Sequence, residues 1–292
     1  MSTKRKRSET SEEGFTLQEI MQIFWIIINT AIEHYGKSSL IRIVNSGRLD
    51  RERSSSVPVF TIITNGNKPE KVTATPPTHM TDNFGEREAQ RLYTAFKNLN
   101  MCDWSVMSSL APVKDKLAEL GAEAEWISVS ARKAFLMHAE EEDVEDADNI
   151  AHSVLLISDA DGKQYIADFT MEQFGWSSDD FFQPQNVYFQ RFADSHDWEI
   201  ASGSWTEDPK QPEERAYVRF VRDLCGTVDW EKLAGQDEKT RLNRLQDEIA
   251  QTLKKYINDK REHAPPDEAE GEDGEKGAKL KSKRRKKRRR VS

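Results

Sequence analysis

The sequence predicts an α+β fold, because helical segments and short strand-like segments are both present and do not alternate regularly along the chain. The chain has 292 residues, of which 36% are hydrophobic, and this length suits one large domain or two small ones. Charged residues make up 32%, which indicates solvated faces or tails. We expect one α+β domain over 15–262, with a disordered basic N-terminus (1–14) and a disordered acidic linker and basic tail (263–292).

Charge is distributed unevenly along the chain. Residues 276–292 contain eleven Lys and Arg residues and no acid, and Lys4–Arg7 adds four positive charges. Since the net charge is −8, residues 8–275 carry −23, which argues against a basic domain that wraps nucleic acid. Two cysteines exclude a disulfide-built scaffold and a cysteine-rich zinc module, and they fit a reducing compartment.

The predicted helices begin and end at recognisable signals. Thr16 and Glu19 form a capping box that opens a helix ending near Gly36, and apolar residues cover most of its circumference. Its apolar stretch is shorter than the roughly 20 residues of a membrane span, so we expect a buried helix and no membrane partner. The other predicted helices are Glu86–Lys97, Cys102–Leu120 with a break, a kink or a new start at Pro112, Glu213–Leu224 and Trp230–Arg261.

Short β-branched or apolar runs predict the strands. They are Leu40–Val44, Val57–Thr64, Glu125–Ser130, Ala151–Ile157 and Gln164–Ala167. Between them, Arg48–Ser56 and Asn65–Asp82 are predicted loops, and residues 175–205 have an aromatic, irregular pattern. Glu140–Asp148 has seven acidic residues in nine, and such a self-repelling run predicts a solvated loop.

Three residues are candidates for a catalytic triad: Cys102, His152 and Asp168. Cys102 opens a predicted helix, and the free amides and partial positive charge of a helix N-terminus favour a thiolate. The same amides could stabilise an oxyanion at an acyl group attacked by the sulfur.

The predicted hairpin decides whether His152 and Asp168 meet. If its loop is 160–162, with Asp159 opposite Lys163, the two residues are diagonal neighbours on one face. A two- or four-residue loop would put them on opposite faces. The Asp-Ala-Asp-Gly sequence of the turn favours the first register, in which the aspartate would orient the imidazole as a general base for the thiol.

Each residue also has an ordinary structural interpretation. A lone cysteine is usually a small buried hydrophobe. A histidine at a strand edge is more often a satisfied surface or core residue. Asp168 or Thr170 could cap a short helix that ends at Gly175.

The three residues belong to a longer pattern, which runs through Cys102, Leu117-Ala118-Glu119-Leu120-Gly121, Glu125-Trp126-Ile127-Ser128-Val129, His152-Ser153-Val154-Leu155-Leu156, Gly162-Lys163-Gln164-Tyr165-Ile166-Ala167-Asp168-Phe169-Thr170 and Gln173-Phe174. Over roughly 86–175 the chain resembles the papain-like superfamily, and most closely its transglutaminase-like, arylamine-acetyltransferase-like and bacterial toxin-like branches. These proteins share a Cys on a helix that ends at Gly, a following strand, a strand opened by His, and a strand leading to Asp. The order and the intervals of 50 and 16 residues fit that pattern.

The resemblance implies an α+β, papain-like or transglutaminase-like core, with an antiparallel sheet packed on the Cys-bearing helix and further helices around it. It implies a triad of Cys102, His152 and Asp168 and no cofactor. For the oxyanion, the alternatives are the backbone amide of Cys102 and the side chains of Asn98, Asn100 and Gln173, although the resemblance places Gln173 as a packing or orienting residue. Asp103, beside the sulfur, opposes formation of a thiolate.

The basic tail predicts nuclear or nucleolar import. Its unbroken run consists of Lys283, Arg284, Arg285, Lys286, Lys287, Arg288, Arg289 and Arg290. The expected partner is a nuclear import receptor; non-specific contact with nucleic-acid phosphates, or a merely solvated tail, are the alternatives.

Two functions therefore follow from the sequence. The first is a cysteine hydrolase or acyltransferase that acts on an amide, which could be a peptide bond, a glutamine carboxamide or an acyl conjugate. The second is a catalytically inactive nuclear module on the same fold, which binds a protein or peptide partner and is associated with nucleic acid through its tail.

Overall fold

In a computed structural model of the chain, the described residues are 15–50, 56–66, 73, 75–148, 151–201 and 212–262. Helices and strands are both present, and the larger sheet is antiparallel, so the predicted α+β class is confirmed. The described residues up to Lys254 form one compact unit. The predicted disordered ends, 1–14 and 263–292, lie outside the described residues.

The helices are α1 (Leu17–Tyr35), α2 (Thr78–Phe84), α3 (Glu86–Asn98), α4 (Cys102–Ala118), α5 (Val144–Asp148), α6 (Gln185–Phe192), α7 (Pro212–Gly226), α8 (Trp230–Ala234) and α9 (Glu238–Glu262). The strands are β1 (Leu40–Asp50), β2 (Ser56–Thr64), β3 (Glu123–Ala131), β4 (Leu136–Ala139), β5 (His152–Ser158), β6 (Gln164–Ala167), β7 (Phe182–Pro184) and β8 (Ala193–Ile200). Two 3₁₀ helices cover Met171–Phe174 and Ser178–Asp180.

A five-stranded antiparallel sheet supports the site. Its strand order is β7-β6-β5-β3-β8, and α4 packs against β3 and β5. The residues of β5 from His152 to Ile157 are all buried, so both faces of the sheet are covered at this strand. The sheet thus positions His152, which opens β5, and α4, which begins at Cys102.

Helix α1 is buried on several sides, as its all-round apolar pattern predicts. The predicted capping box is present: Glu19 N donates to Thr16 Oγ1 at 3.2 Å, and Thr16 N donates to Glu19 Oε2 at 2.9 Å. The helix packs against α3, α4 and α7. In the described part of the chain, every helix is too short or too polar to cross a bilayer.

A second, three-stranded sheet has the order β1-β2-β4. β1 and β2 are antiparallel, whereas β2 and β4 are parallel. The sheet packs on α3 through an apolar cluster that includes Phe60, Leu92 and Phe135. This cluster holds the 135–137 segment next to the N-terminal end of α4, where the candidate cysteine lies.

Several predicted boundaries were wrong where long-range pairing or capping overrides the local pattern. β1 continues to Asp50, through part of the predicted loop 48–56, because Leu49 pairs with Val57 of β2. The loop predicted over 65–82 overlaps α2, which begins at Thr78. The irregular 175–205 stretch contains β7, α6 and β8.

Two further differences concern helices. The helix predicted over Trp230–Arg261 is interrupted before α9, where Asp237 Oδ1 accepts a hydrogen bond from Thr240 N at 3.1 Å. Pro112 lies inside α4, which continues through it to Ala118. The acidic run 140–148, which we call the acidic segment, is not wholly a loop, since its last five residues form α5.

Candidate active site

The fold brings Cys102, His152 and Asp168 to one buried place. Cys102 is the first residue of α4, His152 opens β5, and Asp168 directly follows β6. Their exposed fractions are 6%, 0% and 1%. The three predicted site residues are therefore shielded from bulk water. Charges and hydrogen bonds act more strongly in such a buried environment than in water.

The β5–β6 hairpin has the register that the turn sequence favours. Asp159 N donates to Lys163 O at 2.9 Å, and Gly162 has a left-handed φ of 79°. Beyond the turn, Leu156 pairs with Ile166. This three-residue loop puts His152 and Asp168 on the same face, and His152 Nε2 lies 2.8 Å from Asp168 Oδ2.

Asp168 is held by two further donors. The hydroxyl of Tyr188, on α6, donates to Oδ2 at 2.7 Å, and the amide of Thr170 donates to Oδ1 at 3.1 Å. Burial, with the charge of Asp168 next, raises the pKa of Tyr188 well above its ordinary value, so this hydroxyl remains a donor. Three hydrogen bonds to one buried carboxylate fix its orientation.

His152 interacts with both of the other residues. Its burial acts to lower the pKa, but the charge and the hydrogen bond of Asp168 oppose burial, and the interaction with Cys102 adds to them. The result is a pKa raised to about 10. Since Nε2 faces Asp168, Nδ1 is the nitrogen that remains for an interaction with the thiol, and Gln173 Nε2 lies 3.3 Å from the same nitrogen.

The N-terminal end of α4, next to the Cys102 sulfur, has no side-chain cap. The residue at the cap position is Met101, directly before Cys102. The first amides of an uncapped helix carry partial positive charge, so they are suited to an oxyanion. One neighbour opposes this field: Asp103 Oδ1 lies 3.8 Å from Cys102 Sγ and also accepts a hydrogen bond from the Ser153 hydroxyl.

The side chains considered for the oxyanion differ in position. Asn98 Nδ2 donates to Thr94 O at 3.1 Å, within its own helix, so the structure does not bring it to the sulfur. Asn100 adopts a left-handed φ of 60° and lines the same cavity as Cys102. Gln173 is an orienting residue: its Nε2 lies 3.3 Å from His152 Nδ1 and its Oε1 accepts from Asn100 N at 3.3 Å.

The cavity at the thiol is narrow. Its volume is about 20 Å³, room for about one water molecule. Asn100, Lys133, Glu142 and Gln173 contribute polar groups to its wall. A molecule larger than water would therefore reach Cys102 only if part of this wall moved.

The acidic segment forms part of that wall through Glu142. Several hydrogen bonds attach the segment to the body. They include those of 3.1 Å from Glu140 N to Ile62 O, 3.0 Å from His138 Nδ1 to Glu142 O, and 2.6 Å from Lys133 Nζ to Asp148 O. The segment is thus anchored at both ends, one of them beside the candidate nucleophile.

Tyr188 was missed in the sequence, since it lies in the stretch that has an irregular pattern. The signal that could have found it is local: Pro184 and the apolar spacing of Tyr188, Phe189 and Phe192 mark a short helix. Phe174, which was noted only in the family pattern, packs its ring edge-on to His152 with centroids 4.7 Å apart. Both residues restrict the histidine and aspartate to one arrangement.

Within the described residues, no group of three or more His, Cys, Asp or Glu residues could hold a metal ion. Comparisons of the chain with protein-family models, with curated proteins and with solved structures find no match.

Proposed function

We propose that this protein is a cysteine hydrolase or acyltransferase that acts on an amide through Cys102, His152 and Asp168. The observation that carries the proposal is the fully buried imidazole of His152, with Asp168 at 2.8 Å on one side and Cys102 interacting with it on the other. A buried histidine fixed by a carboxylate and in contact with a thiol is the arrangement that nucleophilic catalysis requires. The papain-like core suggested by the sequence is part of the same proposal.

The first half-reaction would form a thioester. The Cys102 thiolate attacks the carbonyl carbon of the amide, and a C–S bond forms. The oxyanion that results accepts hydrogen bonds at the N-terminal end of α4. The C–N bond then breaks, and the proton carried by His152 Nδ1 passes to the leaving amine.

The second half-reaction would release the acyl group. His152 takes a proton from water or from an amine, which attacks the thioester carbonyl, and the C–S bond breaks. Water gives a carboxylic acid, which is hydrolysis or deamidation, whereas an amine gives a new amide. In both cases the proton returns to the sulfur or stays on the imidazole, and Asp168 orients the ring throughout.

The test is the pH dependence of alkylation by iodoacetamide, measured at Cys102 and Cys225 separately by mass spectrometry. If His152 stabilises the thiolate, Cys102 is labelled below about pH 7, whereas an ordinary thiol with a pKa of about 8.5 is not. Cys225 is the internal control, because burial raises the pKa of its thiol far above the ordinary value. The narrow cavity slows labelling at every pH, so the shape of the profile is diagnostic and its absolute rate is not.

Two variants complete the test. His152→Ala should lower the labelling rate of Cys102 near pH 6 by about tenfold or more. The matched control is His196→Ala, which removes an exposed histidine of β8. A wild-type labelling profile that rises only near pH 8.5, or one that His152→Ala leaves unchanged, would refute the proposed enzymatic function. The expected profile would justify a screen of peptide amides and of glutamine deamidation by ammonia release.

One observation favours a second candidate, a nuclear binding module without catalysis. The Asp103 carboxylate lies 3.8 Å from the sulfur, and a negative charge there opposes the thiolate. On this proposal, the acidic segment and the basic run 283–290, which lies outside the described residues, would be the working surfaces. Loss of nuclear accumulation of a fluorescent fusion without residues 283–290 would support import in either case. Salt-sensitive nucleic-acid binding that needs the tail but not Cys102 would favour the module.

A further inference from the structure

A second and larger cavity lies away from the thiol, between α1, α3, α9 and the 3₁₀ helix Met171–Phe174. Its volume is about 390 Å³, which is within the usual range for small-molecule sites. It shares no lining residue with the cavity at Cys102. Polar side chains from four separate elements converge on it, and such convergence is typical of a site that orients a ligand.

Three buried polar atoms of its lining residues have no hydrogen-bond partner in the described part of the protein. They are Glu172 Oε2, Asn98 Oδ1 and Trp25 Nε1. Glu172 and Asn98 are 8% and 3% exposed. Since buried polar groups in folded proteins are nearly always hydrogen-bonded, three such atoms among the lining residues of one cavity favour a bound molecule that completes them. Two of the atoms need a donor, and the indole N–H needs an acceptor.

The charges around the cavity do not cancel. Lys97 Nζ and Glu33 Oε1 form an ion pair at 2.7 Å, which leaves Glu172 as the remaining acid of the lining. Burial, and then the charge of Asp168, raise the pKa of Glu172 to about 7, whereas Lys97 acts to lower it. A bound cation would compensate the ionised carboxylate, and the indole ring of Trp25 would offer a cation a further favourable surface.

We propose that this cavity binds a small organic cation. The ammonium or guanidinium group of the ligand would donate to Glu172 and Asn98, and an oxygen of the ligand would accept from Trp25. A guanidinium group suits the two acceptors, Glu172 and Asn98, because its planar set of N–H donors can reach both at once. The inference does not depend on the chemistry of Cys102.

The test is calorimetric titration of the whole protein with L-arginine and with L-citrulline, which replaces the guanidinium by a neutral urea of nearly the same shape. We expect saturable binding of one arginine per chain and binding of citrulline that is at least about tenfold weaker. Because a carboxyl with a pKa near 7 is about tenfold more ionised at pH 8 than at pH 6, arginine should bind about tenfold more tightly at pH 8.

Glu172→Gln should weaken arginine binding about tenfold or more and remove its pH dependence. Glu231→Gln, at an exposed position of α8, is the matched control and should change neither. Gln246→Trp adds bulk at an exposed helix position that lines the cavity, so it should block binding without disturbing the core. The thermal unfolding of each variant shows whether it is folded.

Three results would overturn the proposal. The first is no saturable arginine binding by the wild-type protein at pH 8. The second is equal binding of citrulline, since this would remove the role of the cation. The third is unchanged arginine binding in folded Glu172→Gln or Gln246→Trp protein, which would place the ligand elsewhere.

Discussion

The stability of Glu172→Gln relative to the wild-type protein should be higher at alkaline pH than at acidic pH. The pKa of this carboxyl is raised from 4.5 to about 7 by burial, then by the charge of Asp168, against the effect of Lys97. The folded state therefore holds on to the proton more strongly than the unfolded state. The stabilisation from the protonated form is complete below about pH 4.5 and is lost as the pH rises through about 7.

The size of the effect on stability follows from the difference between the pKa of 4.5 and the raised pKa of about 7. Each pH unit between the folded and the unfolded pKa corresponds to about 1.4 kcal/mol, so ionising Glu172 in the folded protein costs up to about 3 kcal/mol at pH 8. Glutamine cannot ionise and avoids this cost. Its buried amide leaves a polar group unsatisfied, but that penalty is the same at every pH. The difference between two pH values therefore isolates the ionisation.

The assay is urea unfolding of the wild-type protein, Glu172→Gln and the control Glu231→Gln at pH 5 and pH 8. The free energy of unfolding of Glu172→Gln, taken relative to wild type, should rise by about 2 to 3 kcal/mol between the two pH values. Glu231→Gln should show no such rise. An equal difference at both pH values would refute the reasoning, because it would show that Glu172 has an ordinary pKa in the folded protein.

Two further predictions concern the surroundings of the triad. Gly175→Ala should destabilise the protein by more than about 2 kcal/mol, because a Cβ there would lie 2.5 Å from Phe135 Cε1 at a left-handed φ of 82°. Gly162→Ala, with a φ of 79° and open space around it, should cost only about 1 kcal/mol; equal losses in thermal unfolding would contradict the steric argument. Tyr188→Phe removes a hydrogen bond of 2.7 Å to Asp168 and should cost about 1 to 3 kcal/mol, so unchanged stability in urea would show that this bond contributes nothing.

The sequence predicted the site mainly where local rules control the geometry. A single turn, Asp159–Gly162, sets the register of its hairpin and thereby decides that His152 and Asp168 share a face. The helix that opens at Cys102 was likewise predictable from its pattern. Whether these residues catalyse a reaction stays a prediction.

What the sequence did not predict depends on contacts between distant segments. β4 was missed because a strand of four residues gains its stability from parallel pairing with β2, which no local pattern reveals. Tyr188 reaches Asp168 because α6 packs against β6. The positions of the two residues in the sequence do not indicate this contact. The acidic segment has the composition of a solvated loop, and only the fold places Glu142 in the wall of the thiol cavity.

The position of the acidic segment also affects how molecules arrive. Glu140, Glu141, Asp143 and Glu145 are exposed beside the wall that contains Glu142, so the approach to the thiol carries a dense negative field. Such a field attracts basic peptides during diffusional encounter and slows acidic ones, and added salt weakens it over a Debye length of about 8 Å at physiological ionic strength. Association rates would therefore select partners by charge before any contact with the cavity is made.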